Sequence, residues 1–203
     1  MCQYPAMAAR ERLPPWHERQ RLPNGRELLI RPIRPEDAAP LRAGFALLQP
    51  DEVRQRFLYS LKEMTPEMAE HFTRINPKTE FALVAAEPLP PGEALVGAVA
   101  RAAIDSSGRN AEFAILVSRY IAGMGLGRYL MTRLVKWARG KRLDSIYGDV
   151  FEHNHAMVAL AQSLGFQRQV QHDAQGLVRV VLPLKPAPSH AAGLQDVPRH
   201  PPA

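Results

Sequence analysis

A glycine-rich turn between a strand and a long helix is the feature that most restricts how this chain can fold. Residues 111–117 read as a buried strand, and a helix is predicted over residues 125–141. Gly123, Gly125 and Gly127 alternate at the junction. Glycine lets a ligand approach the backbone closely, and the free N–H groups at a helix start bind anions. The turn therefore predicts an anion site, with a purely structural turn as the alternative.

Spacing removes two common phosphate-binding turns. A Walker loop carries Lys and then Ser or Thr after its last glycine, whereas Gly127 is followed by Arg128 and Tyr129. A Rossmann turn reads G-x-G-x-x-G early in a parallel βαβ unit, and the pattern here is G-x-G-x-G deep in the chain. A cation in the first helical turn opposes the helix dipole unless an anion is bound, so Arg128 favours the anion site.

The order of the predicted elements indicates one α/β (α+β) domain. Strands are predicted at residues 27–33, 81–86, 94–104, 111–117 and 145–150, with a final pair ending at residue 184. Helices are predicted to open at Pro35 and to cover residues 51–58, 65–75, 125–141 and 155–164. Residues 1–22 are predicted to be a poorly ordered lead-in, residues 23–184 the domain, and residues 185–203 a disordered proline-rich tail.

The amino-acid composition excludes few classes of function. The 203 residues carry a net charge of +6, from Lys+Arg 26 against Asp+Glu 20, which suits an anionic partner but is more often a solvated surface. Cys2 is the single cysteine, so no disulfide can form within the chain. No apolar run is long enough to cross a bilayer and the N-terminus lacks a secretory pattern. We therefore expect a cytoplasmic protein with no membrane partner.

The segment from Ala122 to Gly127 resembles the main motif of the GNAT superfamily of N-acetyltransferases, Q/R-x-x-G-x-G/A, with alanine in the first place. Two other stretches are similar to the family in the right order. They are an opening strand and helix, and a later strand, asparagine and helix closing on Gly-Phe (Ile30–Asp37; Asn154, Met157 and Leu164–Phe166). The resemblance covers roughly residues 28–184. More narrowly, Arg56-Phe57 and Ala111–Ala114 resemble the catalytic domain of bacterial Pat-type protein lysine acetyltransferases.

The resemblance implies a single GNAT-like domain, with a mixed, mostly antiparallel sheet, helices on both faces and a splayed central strand that binds coenzyme A. It implies acetyl-CoA as co-substrate and no metal. Leu116 and Val117 would pair with the pantetheine arm. A backbone N–H in this segment, which we assign to Val117, would stabilise the oxyanion. Asn154 would contact the arm or a bridging water. Backbone amides would hold the pyrophosphate at the turn (Gly123, Met124, Gly125, Leu126, Gly127 and Arg128).

A base must act because a lysine-type amine, with a pKa near ~10.4, is protonated at neutral pH. In Pat-type enzymes the glutamate that matches Glu112 is the general base. The alternative is that Glu112 is an ordinary glutamate on the open face of a strand, without a catalytic role. The tyrosine that many GNAT enzymes use as general acid is replaced here by Ala161. Since the domain contains no cysteine, we expect direct attack in a ternary complex. Arg54 and Arg56 are predicted to lie on a solvated helix face.

The resemblance implies a primary amine as the acceptor, with a protein lysine favoured over a small amine by the Pat-like segments. A homodimer is left open. A second hypothesis is an acyl-CoA sensor or regulatory module without turnover, which the departures at Ala122 and Ala161 motivate. A third, a nucleic-acid binder, rests only on the net charge and the arginine-rich ends, and no aromatic–basic motif supports it.

Overall fold

The computed structural model describes residues 14–170 and 176–185. Across these residues the chain forms one eight-stranded sheet and five α-helices, preceded at α1 by a short 3-10 turn at Pro35–Asp37. The strands are β1 Glu18–Arg21, β2 Glu27–Pro32, β3 Glu80–Ala86, β4 Val96–Ile104, β5 Asn110–Val117, β6 Ser145–Phe151, β7 Gln167–Val170 and β8 Leu177–Pro183. The helices are α1 Ala38–Phe45, α2 Pro50–Phe57, α3 Pro66–Thr73, α4 Leu126–Gly140 and α5 His155–Ser163.

The sheet has the strand order β1-β2-β3-β4-β5-β6-β8-β7. Every neighbouring pair is antiparallel except β5 and β6, which α4 joins as a crossover helix. The parallel pairing is short, because it runs only from Asn110 opposite Ser145 to Glu112 opposite Tyr147. Beyond Glu112 the two strands diverge. The expected mixed, mostly antiparallel sheet with a splayed central strand is confirmed.

The two faces of the sheet carry different helices. Leu83, Ala100 and Phe113 belong to the main core, into which α4 inserts its apolar side. Four residues that the sequence placed on one face of α4 are all buried there: Leu126, Leu130, Leu134 and Trp137. Val84 of β3, with Val96 and Val99 of β4, packs in a second cluster with Ile33 on the opposite face. Helices therefore cover both faces, as expected.

Helices α1 to α3 form a small layer with its own apolar cluster of Phe45, Val53, Met64 and Ala69. The N-cap that the sequence predicts for α3 is present, since the Thr65 hydroxyl accepts a hydrogen bond of 3.2 Å from the Met68 amide. The layer borders both β4 and β5. It leaves space above the sheet rather than closing tightly on it.

The folded part of the chain begins earlier than the sequence indicates. Glu18–Arg21 forms β1 and pairs with β2, and Leu22 is buried, although these residues were assigned to a poorly ordered lead-in. The contacts that fix them come from far along the chain. The Trp16 ring lies 4.7 Å from that of Phe81, and the Glu18 carboxylate accepts hydrogen bonds from Tyr129 and Arg133 on α4.

The predicted tail, apart from Lys185, lies outside the described residues, as do residues 1–13. Lys185 makes an ion pair with Asp144. Within residues 14–170 and 176–185, no helix is long and apolar enough to cross a membrane.

Candidate active site: a groove at the splayed strands

A groove of about 440 Å³ opens where β5 and β6 diverge. One wall is β5, the other is the start of α5 with the end of β6, and α2 lies across the top. The turn before α4 closes one end. Its lining includes Glu112, Leu116 and Val117 from β5, Ala122, Gly123 and Gly127 from the turn, Asp149 from β6, and Asn154, Met157 and Leu160 from the α5 region. Most of the residues assigned to the site from the sequence therefore border one cavity.

The free edge of β5 presents a backbone amide to this groove. Ser118 N–H donates to the carbonyl of Gly97, in the neighbouring antiparallel strand β4, at 2.9 Å. Successive amides of a strand point to opposite edges, so Val117 N–H points away from β4 and into the groove. Leu116 directs its amide toward β4 and reaches the groove through its side chain. Val117 is thus placed to donate to a bound oxygen.

The start of α4 has the features of an anion site. Gly125 is its N-cap with φ +82°, and no side chain caps the helix. The first-turn amides of Leu126, Gly127 and Arg128 consequently lack intrahelical partners and carry the positive end of the helix dipole. A Cβ placed on Gly123 or Gly125 would meet nothing within 4 Å, which leaves room for a ligand against the turn. These features suit an anionic ligand.

Arg128 has a protein partner as well as a place near this turn. Its guanidinium donates to the Ser163 hydroxyl at 2.6 Å, which ties the start of α4 to the end of α5. The side chain remains exposed. Met124 is half-buried against the main core, so its contribution to the turn is its backbone.

Glu112 occupies the last paired position before the strands diverge. Its side chain is exposed, and it shares a sheet face with Leu116 and with Arg101 of β4. Glu112 also acts electrostatically on Tyr147, Arg56 and Arg179. Burial raises the pKa of Tyr147, and the charges of Glu112 and then Asp105 add to that rise. The carboxylate therefore stands on the open face of the groove.

Three arginines surround Glu112, and two of them have carboxylate partners. Arg101 donates to Glu80 at 2.6 Å, and Arg179 makes two hydrogen bonds of 2.8 and 2.7 Å to Asp149. Arg56 lies half-buried on α2. Burial and then the charge of Arg101 lower the pKa of Arg56 to about 10, against the opposing effects of Glu112 and Tyr59.

The prediction that Arg56 belongs to a solvated helix face is wrong. Val53 is buried on α2, and residues three and four positions later lie on the same side of a helix. Arg56 and Phe57 therefore face inward over the sheet. Of the two arginines predicted to be solvated, Arg54 is exposed and Arg56 is not. Helical spacing from Val53 is a signal that could have revealed this placement.

Helix α5 contributes no acid to the groove. Asn154 is its N-cap, because its side-chain oxygen accepts a hydrogen bond of 3.1 Å from the Met157 amide. Ala161 is fully buried, and the residues that line the groove from the helix are Ala156, Met157 and Leu160. Among the described residues of the groove lining there is no tyrosine or cysteine. The described ranges also contain no cluster of three His, Cys, Asp or Glu that could hold a metal ion.

Taken together, the splayed strand, the uncapped helix start and the carboxylate on the open face are the arrangement expected of a coenzyme A-dependent N-acetyltransferase. Comparison with known proteins agrees with this class. Residues 27–167 match the family model described as acetyltransferase (GNAT) domain. The chain belongs to the GNAT family of acetyltransferases, and the family predicted from the sequence is confirmed.

Relatives of known name support the assignment. The chain is 30% identical over 168 residues to acetyltransferase PA5475 of Pseudomonas aeruginosa, covering 82% of this chain and 90% of that protein. Its fold is similar to the GNAT domain of S. lividans PAT, with a TM-score of 0.72, 22% identity, and 89% and 99% of the two chains covered. It is also similar to yncA, a putative acetyltransferase from Salmonella typhimurium solved with its cofactor acetyl-CoA, with a TM-score of 0.63, 19% identity, and 81% and 98% covered.

Proposed function

We propose that this acetyltransferase moves an acetyl group from acetyl-CoA to a primary amine by direct attack in a ternary complex, with Glu112 as general base. One observation carries the proposal. Glu112, the inward-pointing amide of Val117 and the glycine turn before α4 border the same groove. A proton acceptor, an oxyanion donor and an anion site are therefore within reach of one bound thioester.

Each group has a defined task in this scheme. Glu112 takes a proton from the ammonium form of the acceptor, and the neutral nitrogen attacks the thioester carbonyl carbon. Val117 N–H stabilises the negative charge that develops on the carbonyl oxygen. The C–N bond forms, the C–S bond breaks, and coenzyme A leaves as a thiolate. A thiol has a pKa near ~8.5, so the thiolate leaves without a protein acid, and the second proton of the attacking nitrogen passes through water to the thiolate.

Binding of acetyl-CoA is assigned to three parts of the groove. The amides from Gly123 to Arg128 hold the pyrophosphate. Val117 pairs with the pantetheine arm while the Leu116 side chain packs beside it. The Asn154 side-chain oxygen is used as the cap of α5, so its NH₂ group remains for the arm or a bridging water.

Two classes of acceptor fit the proposal. The Pat-like sequence segments favour a protein lysine. A second cavity beside the groove favours a small amine. In either case the scarcity of cysteine supports a cytoplasmic location.

The proposal is tested by following coenzyme A release from acetyl-CoA with a thiol reagent, using amino acids, simple amines and lysine-containing peptides as acceptors. Amine-dependent release is the expected result. A thermal upshift with acetyl-CoA but no release with any amine would instead support the sensor hypothesis. If acetyl-CoA gave neither coenzyme A release nor a thermal upshift, both the transferase and the sensor hypotheses would be contradicted.

A further inference from the structure

A second cavity, of about 270 Å³, lies between helices α1–α3 and the sheet. Its walls are mostly apolar and include Leu41, Phe45 and Leu48 from the helical layer and Val99 from β4. Four residues line both this cavity and the groove: Arg56, Phe57, Phe72 and Leu116. Leu116 directly precedes Val117, the proposed oxyanion donor. The apolar cavity therefore opens beside the reacting thioester.

The junction between the two spaces carries a cation without a counter-ion. Arg26 and Arg101 also line the cavity, and they pair with Glu87 at 3.8 Å and Glu80 at 2.6 Å. Among the described residues, none makes a hydrogen bond or ion pair with the Arg56 guanidinium, which stacks on the Phe57 ring at 5.0 Å.

The nearest acids, on α2 and on β5, form no ion pair with the Arg56 guanidinium. Glu52, one turn earlier on α2, accepts hydrogen bonds from the Gln49 and Arg119 amides at 2.8 and 2.9 Å. Glu112 lies near Arg56 but forms no ion pair with it. A partly desolvated guanidinium without an acid costs free energy, and a bound carboxylate would relieve that cost through two parallel hydrogen bonds.

We propose that the acceptor is a small amine that also carries a carboxylate and an apolar body, as in an α-amino acid with an apolar side chain. The amine lies at Glu112, the carboxylate binds Arg56, and the apolar side chain enters the second cavity. Three substituents of one carbon atom thus match three adjacent parts of the site. The inference rests on the proposed acetyl transfer and selects the small-amine alternative over a protein lysine. Arg56 is then a specificity-determining residue rather than the base.

The test compares matched acceptors in the coenzyme A release assay: leucine, its carboxylate-free analogue isoamylamine, glycine and a lysine-containing peptide. We expect kcat/KM for leucine to exceed that for isoamylamine by about tenfold or more, because a charge-assisted pair is lost. Glycine should also be about tenfold or more below leucine, because the cavity remains unfilled.

The variants assign the effect to Arg56. Arg56→Gln should lower kcat/KM for leucine about tenfold or more and so abolish the preference for leucine over isoamylamine, while the KM for acetyl-CoA stays within about twofold. Arg56→Lys, which keeps the charge but loses the planar fork, should give an intermediate preference. Arg54→Gln is the matched control, because Arg54 is an exposed arginine on the same helix that lines neither cavity. It should behave as the wild type, and melting curves should show all variants folded.

Equal rates with leucine and isoamylamine would overturn the inference and leave acetyl transfer intact. A raised KM for acetyl-CoA in Arg56→Gln would also overturn it, because Arg56 would then bind the co-substrate. Turnover of the lysine peptide alone would assign the acceptor to protein. Absence of release with every amine would contradict the proposed transfer itself.

Discussion

The Phe113 ring lies directly against the Cα of Gly148. A Cβ atom built on Gly148 would fall 2.7 Å from the ring, closer than side-chain carbons approach one another. These residues follow Glu112 and Tyr147, the last paired positions of β5 and β6. The ring, which also contacts Phe166 edge-on at 5.5 Å, therefore fills the space beneath β6 where the strands separate. Gly148 leaves the room that this ring occupies.

Gly148→Ala should destabilise the protein, because the added methyl must displace the Phe113 ring or β6. Overpacking of this kind costs about 1–3 kcal/mol in unfolding free energy. Urea denaturation measures the loss. Gly140→Ala is the control, since a Cβ there meets nothing within 4 Å at the end of α4, and it should be neutral or stabilising by up to about 1 kcal/mol. Equal effects of the two changes would contradict the role given to Phe113.

The anion-binding role of the turn before α4 can be tested with a substitution that strains the backbone without blocking the ligand. Gly125 has φ +82° with open space around its missing Cβ, so alanine there is strained but not clashing. Gly125→Ala should shift the first-turn amides and weaken acetyl-CoA binding about tenfold or more, the loss of roughly one charge-assisted hydrogen bond. Calorimetric titration with acetyl-CoA gives the affinity.

Gly108→Ala is a matched control for Gly125→Ala. Gly108 has φ +69° and is equally open, but it lies in the turn between β4 and β5, away from the groove lining. The same backbone strain should lower stability without changing the affinity for acetyl-CoA. If Gly125→Ala bound acetyl-CoA as tightly as Gly108→Ala, the pyrophosphate assignment would be wrong.

A buried ion pair anchors the first helix to the sheet. Arg31 donates two hydrogen bonds of 2.7 Å to Asp37, and both side chains are almost fully buried. Asp37→Ala should cost about 3–5 kcal/mol in unfolding free energy, because it leaves the arginine charge buried without a partner. Glu36→Gln, at the exposed neighbouring position, should change stability by less than about 0.5 kcal/mol. A small loss for Asp37→Ala in chemical denaturation would show that the pair is not needed.

Acid stability should depend on Glu80. Burial raises the pKa of Glu80, but hydrogen bonds from the Asn76 amide and Arg101 outweigh it and hold the pKa below the ordinary value of 4.5. The folded state thus keeps this carboxylate charged where the unfolded chain takes up a proton. Its stabilisation is present above about pH 4.5 and is lost as the pH falls.

Glu80→Gln should therefore lower stability at pH 7 and reduce the further loss between pH 5 and pH 3. Urea unfolding across this range measures both effects. Glu63→Gln, an exposed glutamate on the loop before α3, should reproduce the wild-type profile. An unchanged slope in Glu80→Gln would mean that other carboxylates govern acid unfolding.

Local signals in the sequence were sufficient for most elements. The Thr65-Pro66 cap, the apolar face of α4 and the glycine turn each act within a few residues, and the structure has each of them. The GNAT motif then placed the groove, because a strand followed by a glycine turn and a helix fixes where the helix start lies relative to the sheet.

Long-range contacts account for what the sequence did not reveal. Strand β1 is held by Trp16 on Phe81 and by Glu18 on α4, partners more than sixty residues away. Ala161 matches the position of an acid in the family pattern, but the packing of α5 buries it. Such features depend on tertiary packing, which no local pattern encodes.

Glu112→Gln tests the central claim most directly. Amine-dependent release of coenzyme A should fall about 10²–10⁴-fold, because the amine loses its general base, while the thermal upshift with acetyl-CoA persists. Glu27→Gln, an exposed glutamate on β2, should release coenzyme A at the wild-type rate. If Glu112→Gln turned over as fast as Glu27→Gln, Glu112 would not be the base and the proposed mechanism would be contradicted.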